Sequence, residues 1–176
     1  MRLQGRVFRA HNPRWSFSPL SGAGASRYGG RFNAVGTPAL YTSSRMETAW
    51  LEAQQGFAFK AQPLTICSYD VDCADIADLG DVASCHARNT DPADLACSWE
   101  DIVSRGGEPP SWRIARSLVE EGHAGIIVPS FALGAGPSDR NIIFWKWSND
   151  LPHRLQVIDD EGRLPRDDRS WQQLKP

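Results

Sequence analysis

Between two short predicted strands, residues 12 to 30 form a stretch rich in proline, glycine and serine, with too few spaced apolar residues for a helix or a strand. Irregular segments of this length are uncommon inside a small domain, and they are usually functional or disordered. We therefore expect this segment to form part of a site, as a lid or a rim. The flanking strands are predicted at Arg6–Ala10 and Ala39–Thr42.

Hydrophobic spacing and end signals predict three helices. The first starts at Ser44–Glu47, whose S-x-x-E spacing is typical of a capping box, and Gly56 marks its end. The second begins at Asp91–Pro92 and continues to Gly106, and the third covers Trp112 to Glu121. Further strands are predicted at Leu64–Cys73, Gly125–Val128, Asn141–Trp147 and Leu155–Asp159.

The order of these elements predicts the fold class. A chain of 176 residues suits one core. Because strands and helices do not alternate regularly, the sequence favours an α+β domain over residues 1–160, with antiparallel or mixed sheets and a few flanking helices. Residues 161–176 are predicted to be a polar C-terminal tail.

Composition disfavours several classes of protein. The net charge is −2 and the 19 basic residues are scattered, which argues against direct binding of nucleic acid. No apolar run approaches the ~20 residues of a membrane span, so we expect a cytoplasmic protein with no membrane association. The four cysteines form no C-x-x-C pair and the four histidines no H-E-x-x-H motif, so no metal site is predicted. The glycines form neither G-x-G-x-x-G nor a P-loop, and any nucleotide must be held in another way.

Three motifs resemble the signature of the RES-domain family. They are the run Gly29–Asn33 (GGRFN), the run Gly36–Thr42 (GTPALYT) and Glu52, which lies eleven residues after Tyr41. Ser130, after Val128 and Pro129, fits the serine of the family name, and Asn141 follows it. The similarity extends from about residue 5, before Val7–Arg9, to residue 147.

The resemblance implies a function. RES-domain proteins are toxins of bacterial toxin–antitoxin pairs, with a fold related to ADP-ribosyltransferases, and they split NAD at the bond between nicotinamide and ribose. The acceptor of ADP-ribose varies between a protein, such as a phosphoribosyl pyrophosphate synthetase, and water or phosphate. The usual partner is an Xre-like antitoxin with a helical DNA-binding part. We therefore expect NAD as substrate, no metal, and an antitoxin partner.

Two charged residues are the main catalytic candidates. Positive charge develops on the ribose as nicotinamide leaves, so a carboxylate must lie near that carbon. Glu52 is the candidate, although it could equally be an exposed helix residue. Arg31 is predicted to grip the pyrophosphate between neighbouring glycines, with a solvated loop arginine as the alternative.

Four more residues are candidates for binding NAD. Tyr41, also predicted to be catalytic, offers a flat face for nicotinamide and a hydroxyl for the ribose, but it also fits a core tyrosine. Arg9 could hold the same phosphates or face solvent. Ser130 is assigned to binding rather than nucleophilic attack, because no basic partner is evident at a recognisable spacing, and it could instead bond its own backbone. Asn141 either contacts a ligand amide or merely begins its strand.

Two other classes of function remain open from the sequence. An RNA-cleaving toxin would need acid and base pairs in a basic groove, and the histidines show no such context. A non-enzymatic interaction module would bury some of the seven tryptophans against a partner. Release of nicotinamide from NAD distinguishes the enzyme from both.

Overall fold

The computed structural model describes residues 1–54 and 61–172. The predicted helix end at Gly56 lies outside the described residues. The strands are β1 (Leu3–His11), β2 (Leu40–Ser43), β3 (Thr65–Cys73), β4 (Ile76–Asp78), β5 (Gly125–Pro129), β6 (Arg140–Phe144) and β7 (His153–Val157). The helices are α1 (Ala23–Tyr28), α2 (Met46–Gln54), α3 (Val82–Ala87), α4 (Pro92–Leu95), α5 (Trp99–Ser104), α6 (Pro110–Glu120) and α7 (Arg169–Gln172), with one turn of 3₁₀ helix at Pro13–Trp15.

The strands form one mixed sheet in the order β4-β5-β6-β2-β1-β3-β7. Only the β4–β5 pair is parallel among the described strands, and every other pair is antiparallel. This architecture confirms the predicted α+β class with a mixed sheet and flanking helices. The long β1–β3 pair and the short β2 bring the ends of β1, β2 and β6 side by side. Four of the candidate site residues lie on these strands and on α2, whereas Arg31 and Ser130 lie in loops before β2 and after β5.

Hydrophobic residues pack on both faces of the sheet. Along β6, Ile142 and Phe144 belong to one buried cluster and Ile143 to the other, because successive strand side chains point to opposite faces. Leu118 of α6 packs in the Ile143 cluster, and Leu164, in the predicted tail, packs against the other. The domain boundary at residue 160 stays a prediction. No helix in the described part of the chain is long and apolar enough to cross a membrane.

Several predicted boundaries were wrong. The helix predicted from Asp91 to Gly106 is two short helices, α4 and α5, and at the break between them the carbonyls of Leu95 and Cys97 accept hydrogen bonds from Arg31. The strand predicted to reach Trp147 ends at Phe144, since the backbone amides of the next two residues both donate to one carbonyl, that of Ala124. The sequence analysis also missed β4 and α3, and it was wrong to expect no helix in residues 12–30, where the 3₁₀ turn and α1 form.

The capping box predicted at Ser44 and Glu47 was also wrong. The Ser44 amide donates to the carbonyl of Arg140 on the neighbouring strand, and the Glu47 carboxylate lies 3.6 Å from Arg45. A capping box does occur at α3, where Asp81 and Ser84 satisfy each other's backbone amides. At α2, a carbonyl of the neighbouring strand therefore accepts the hydrogen bond from the Ser44 amide, which the Glu47 side chain would accept in a capping box.

Three tryptophans hold the chain between residues 20 and 32, which precedes β2, against the rest of the domain. Their indole N–H groups donate to backbone carbonyls: Trp112 to Gly30 at 2.7 Å, Trp145 to Phe32 at 3.0 Å and Trp147 to Leu20 at 3.1 Å. Buried indoles normally find such partners, because an unmade hydrogen bond there is costly. Part of the tryptophan excess therefore orders a segment that has little regular structure of its own.

Gly30 is predicted to be intolerant of a side chain. A Cβ atom at this position would lie 2.5 Å from the Tyr41 hydroxyl oxygen and 2.8 Å from Asn33 Oδ1. Gly30→Ala should therefore lower the free energy of unfolding by about 1–3 kcal/mol in urea denaturation. Gly24→Ala is the matched control, because a Cβ there meets nothing within 4 Å and alanine is the better helix former. Equal stability of the two variants would contradict the prediction.

Candidate active site

A cavity of about 300 Å³ lies between α2 and the strands β1, β2 and β6. Its lining includes Arg9, Tyr41, Ser43, Glu52 and Asn141. Four of the six candidate residues predicted from the sequence therefore line this cavity, although they come from separate parts of the chain. Ser130 joins them through Glu52, and Arg31 is not among the described lining residues.

The Glu52 carboxylate is the centre of a hydrogen-bond network. Its Oε1 atom accepts from Ser130 Oγ and from Asn141 Nδ2, both at 2.5 Å. Asn141 Oδ1 in turn accepts from Ser43 Oγ at 2.8 Å. These donors fix one carboxylate oxygen at the wall of the cavity. Glu52, Ser130 and Asn141 were all predicted as site residues, and the structure brings their side chains into contact.

A buried carboxylate, that of Asp139, connects the elements that carry these groups. Its Oδ1 accepts from Thr48 Oγ1 of α2 at 2.5 Å and its Oδ2 from the Gly136 amide at 2.7 Å. Its own carbonyl accepts from the Ser130 amide at 2.9 Å. Hydrogen bonding to Thr48 and to the Gly136 amide lowers the pKa of Asp139. Asp139 thus ties the helix of Glu52 to the loop of Ser130.

The Tyr41 hydroxyl is engaged with the glycine-flanked turn. It accepts from the Phe32 amide at 2.9 Å and donates to Asn33 Oδ1 at 2.8 Å. Burial raises the pKa of Tyr41, so the phenol keeps its proton at neutral pH. The hydroxyl therefore holds the turn in place, while the ring lines the cavity. A contact between this ring and nicotinamide stays a prediction.

Arg31 lies beside the cavity with its guanidinium turned to protein groups. Its Nη1 atom donates to the carbonyls of Leu95 and Cys97, and the group lies 4.7 Å from the centre of the Phe131 ring. Burial lowers the pKa of Arg31, and nearby negative groups including Glu52 oppose that shift. Tyr41 connects Arg31 to the cavity, because Tyr41 lines it together with Glu52 and accepts a hydrogen bond from the amide of Phe32, the residue after Arg31. A grip on pyrophosphate by Arg31 stays a prediction.

Arg9 and His11 lie on the cavity wall formed by β1. Arg9 Nη1 donates to the carbonyls of Pro19 and Ser21, both at 3.0 Å, and burial lowers the pKa of its guanidinium. His11 was missed by the sequence analysis. Burial, with a smaller effect of the Arg9 charge, lowers the pKa of His11 to about 4. Its position two residues after Arg9, on the same face of the strand, is the signal that could have identified it.

No group of three or more His, Cys, Asp or Glu side chains suited to a metal ion occurs in the described ranges 1–54 and 61–172. All four cysteines are free thiols, and three of them are buried.

The fold and the cavity together define a single-domain α+β protein with a half-buried, hydrogen-bonded carboxylate at the wall of a ligand-sized hollow. The family model of the RES domain matches residues 6–167, and the chain therefore belongs to the RES domain family. Among curated proteins, no sequence matches the chain.

One solved structure similar to the chain is that of the MbcT–MbcA toxin–antitoxin complex of M. tuberculosis. The TM-score is 0.60 at 19% sequence identity, and the match covers 90% of this chain and 84% of that chain. At this identity the likeness establishes a shared fold.

Thr48 is predicted to be required for stability. Thr48→Val removes a donor to a buried carboxylate and should lower the free energy of unfolding by about 1–3 kcal/mol at pH 7. Thr48→Ser keeps the hydroxyl and is the matched control. Urea denaturation measures both, and a Val variant as stable as the Ser variant would refute the role assigned to Thr48.

The Thr48 effect should depend on pH. Because the pKa of Asp139 is lowered in the folded protein, its contribution to stability is present above the unfolded value of about 3.9 and is lost as pH falls through the folded value. The stability difference between the wild type and Thr48→Val should therefore shrink below about pH 4. An unchanged difference across pH 7 to 3 would show that Asp139 is not the group involved.

Proposed function

We propose that this protein is the toxin of a bacterial toxin–antitoxin pair and that it cleaves NAD at the bond between nicotinamide and ribose. The observation that carries this proposal is the carboxylate of Glu52, held by Ser130 and Asn141 at the wall of the cavity. Membership of the RES domain family and the fold shared with a toxin from a toxin–antitoxin complex support it.

The reaction needs little beyond a well-placed negative charge. The C1′–N bond breaks with its electron pair going to nicotinamide, which leaves as a neutral pyridine. Positive charge therefore develops on the ribose, and a fixed carboxylate stabilises it most when it does not have to reorient. The hydrogen bonds from Ser130 and Asn141 hold Glu52 in one orientation before the substrate arrives. The acceptor then adds to C1′ and loses a proton.

The acceptor of ADP-ribose is proposed to be a protein, water or phosphate. Ser43 and Ser130 are poor competitors for an external acceptor, because both donate their hydroxyls within the Glu52 network. Mass spectrometry of cellular proteins after induction would reveal ADP-ribose adducts. Their absence, together with a fall in NAD, would favour water or phosphate.

The proposed partner is an antitoxin of the Xre-like type with a helical DNA-binding part. The structural neighbour was solved in complex with its antitoxin, and a cytoplasmic chain that destroys NAD must be restrained by a partner. Binding over the cavity would block access to Glu52 without unfolding the toxin. Purified antitoxin should then inhibit nicotinamide release in proportion to the complex formed.

Glu52→Gln is predicted to abolish activity. The substitution keeps the size of the side chain but removes its charge, so nicotinamide release should fall roughly 100-fold or more. Glu47→Gln is the matched control, because Glu47 lies on the same helix with its side chain 67% exposed and pairs only loosely with Arg45 at 3.6 Å. Nicotinamide is measured by chromatography after incubation with NAD, and urea denaturation checks that both variants fold.

Two results would contradict the proposal. If the wild type leaves NAD intact with every acceptor at high enzyme concentration, NAD is not the substrate. If Glu52→Gln retains the activity of Glu47→Gln, the carboxylate does not carry the chemistry.

A further inference from the structure

A second cavity, of about 460 Å³, adjoins the one that contains Glu52. The two share Arg9 and His11, which line both, so the cavities meet at the end of β1. Most of the second cavity is formed by residues 15 to 28 of the irregular segment, which include α1. The sequence analysis expected this segment to be the lid or rim of a site.

Aromatic rings give the second cavity flat surfaces. Trp15, Phe17 and Tyr28 line it, and Trp15 and Tyr28 are 53% and 71% exposed. The rings of Trp15 and Phe17 lie 6.3 Å apart with a 44° angle between their planes. Large exposed aromatic side chains around a hollow are costly to leave in water and are suited to stacking on a planar ligand.

The charge of the second cavity selects for an anion. Arg9 and Arg27 both line it, and among its described lining residues there is no aspartate or glutamate. Arg27 lies over the Tyr28 ring at 5.4 Å, which places a cation beside a stacking surface. A flat ring attached to a negative group is the ligand chemistry that matches both features.

His11, at the junction, has unmet hydrogen-bonding capacity. Both ring nitrogens are buried, and neither has a hydrogen-bond partner in the structure. Because its pKa is about 4, the ring is neutral at pH 7, with one N–H donor and one acceptor nitrogen. Buried polar atoms normally have hydrogen-bond partners. The two unpartnered ring nitrogens of His11 therefore indicate a missing partner such as a sugar hydroxyl.

The wall of the second cavity is held in place by the domain itself. Tyr69 and Arg9 donate to the Pro19 carbonyl, Trp147 donates to that of Leu20, and Ser16 bonds Thr65. These contacts fix the irregular segment at several points along its length. The cavity therefore exists before a ligand binds, which reduces the entropic cost of binding.

We propose that the second cavity binds the adenylate half of NAD, with the adenine against the aromatic rings and the phosphates between Arg9 and Arg27. This inference rests on the proposed function, because it divides one substrate between two cavities. The nicotinamide end then lies beside Glu52, and His11 contacts the part of the dinucleotide that passes from one cavity to the other.

The test compares NAD with nicotinamide mononucleotide, which lacks the adenylate half. Trp15→Ala and Arg27→Gln should each raise the KM for NAD roughly tenfold or more and leave kcat within about twofold, since stacking and phosphate contacts far from the reacting bond act on binding. The rate of Trp15→Ala with nicotinamide mononucleotide should equal that of the wild type, because this substrate lacks the adenine but keeps one of the phosphates that Arg27 is proposed to contact. Arg6→Gln is the control for loss of charge, because Arg6 is an exposed residue of β1 outside both cavities.

Calorimetry with ADP supplies a readout that does not need catalysis. The wild type and Arg6→Gln should bind ADP, and Trp15→Ala should bind it roughly tenfold or more weakly. If no enzyme form cleaves NAD but ADP binding shows this pattern, the proposed function fails and the nucleotide cavity stands. If Trp15→Ala lost activity equally with NAD and with nicotinamide mononucleotide, or left ADP binding unchanged, the inference would be overturned.

Discussion

The buried carboxylate of Asp139 is the interaction on which the candidate site depends. Its side chain binds Thr48 on the helix that carries Glu52, and its carbonyl binds the amide of Ser130. A charge in such a position is tolerated only with several donors, because an unpaired buried carboxylate costs several kcal/mol. The helix and the loop must therefore be positioned together, and their contact at Glu52 follows from that requirement.

The irregular segment shows how a domain orders a loop with little structure of its own. Indole N–H groups from the helix α6 and from the chain after β6 reach its carbonyls, and Arg9 of β1 does the same from the other side. Each bond satisfies a backbone group that neither helix nor sheet would satisfy. The ordered segment combines aromatic surface with backbone packed closely against side chains. At Gly30, for example, an added Cβ atom would lie 2.5 Å from the Tyr41 hydroxyl oxygen.

The sequence predicted the fold class and three residues of the Glu52 network, but it missed Ser43 and did not predict what holds the network together. Glu52, Ser130 and Asn141 could be identified because they match a family pattern, and their mutual contacts agree with that choice. Asp139 and Thr48 are 91 residues apart, and no hydrophobic period or short motif links them. Arg31 illustrates the same limit, because its carbonyl partners lie more than 60 residues away, at the break between α4 and α5.

The distribution of charge across the two cavities gives the proposed substrate only one favourable direction. NAD carries a positive pyridinium ring at one end of its length and negative phosphates in the middle. The described residues place a carboxylate, Glu52, in the first cavity, and guanidinium groups at the junction and in the second. With nicotinamide in the first cavity, each charge of the dinucleotide meets its opposite. In the reverse orientation the pyridinium ring would lie among arginines, and Coulomb repulsion in a partly buried site would oppose it. If NAD is the substrate, complementary charge therefore favours the orientation that brings the glycosidic bond to Glu52, before any contact with the acceptor is made.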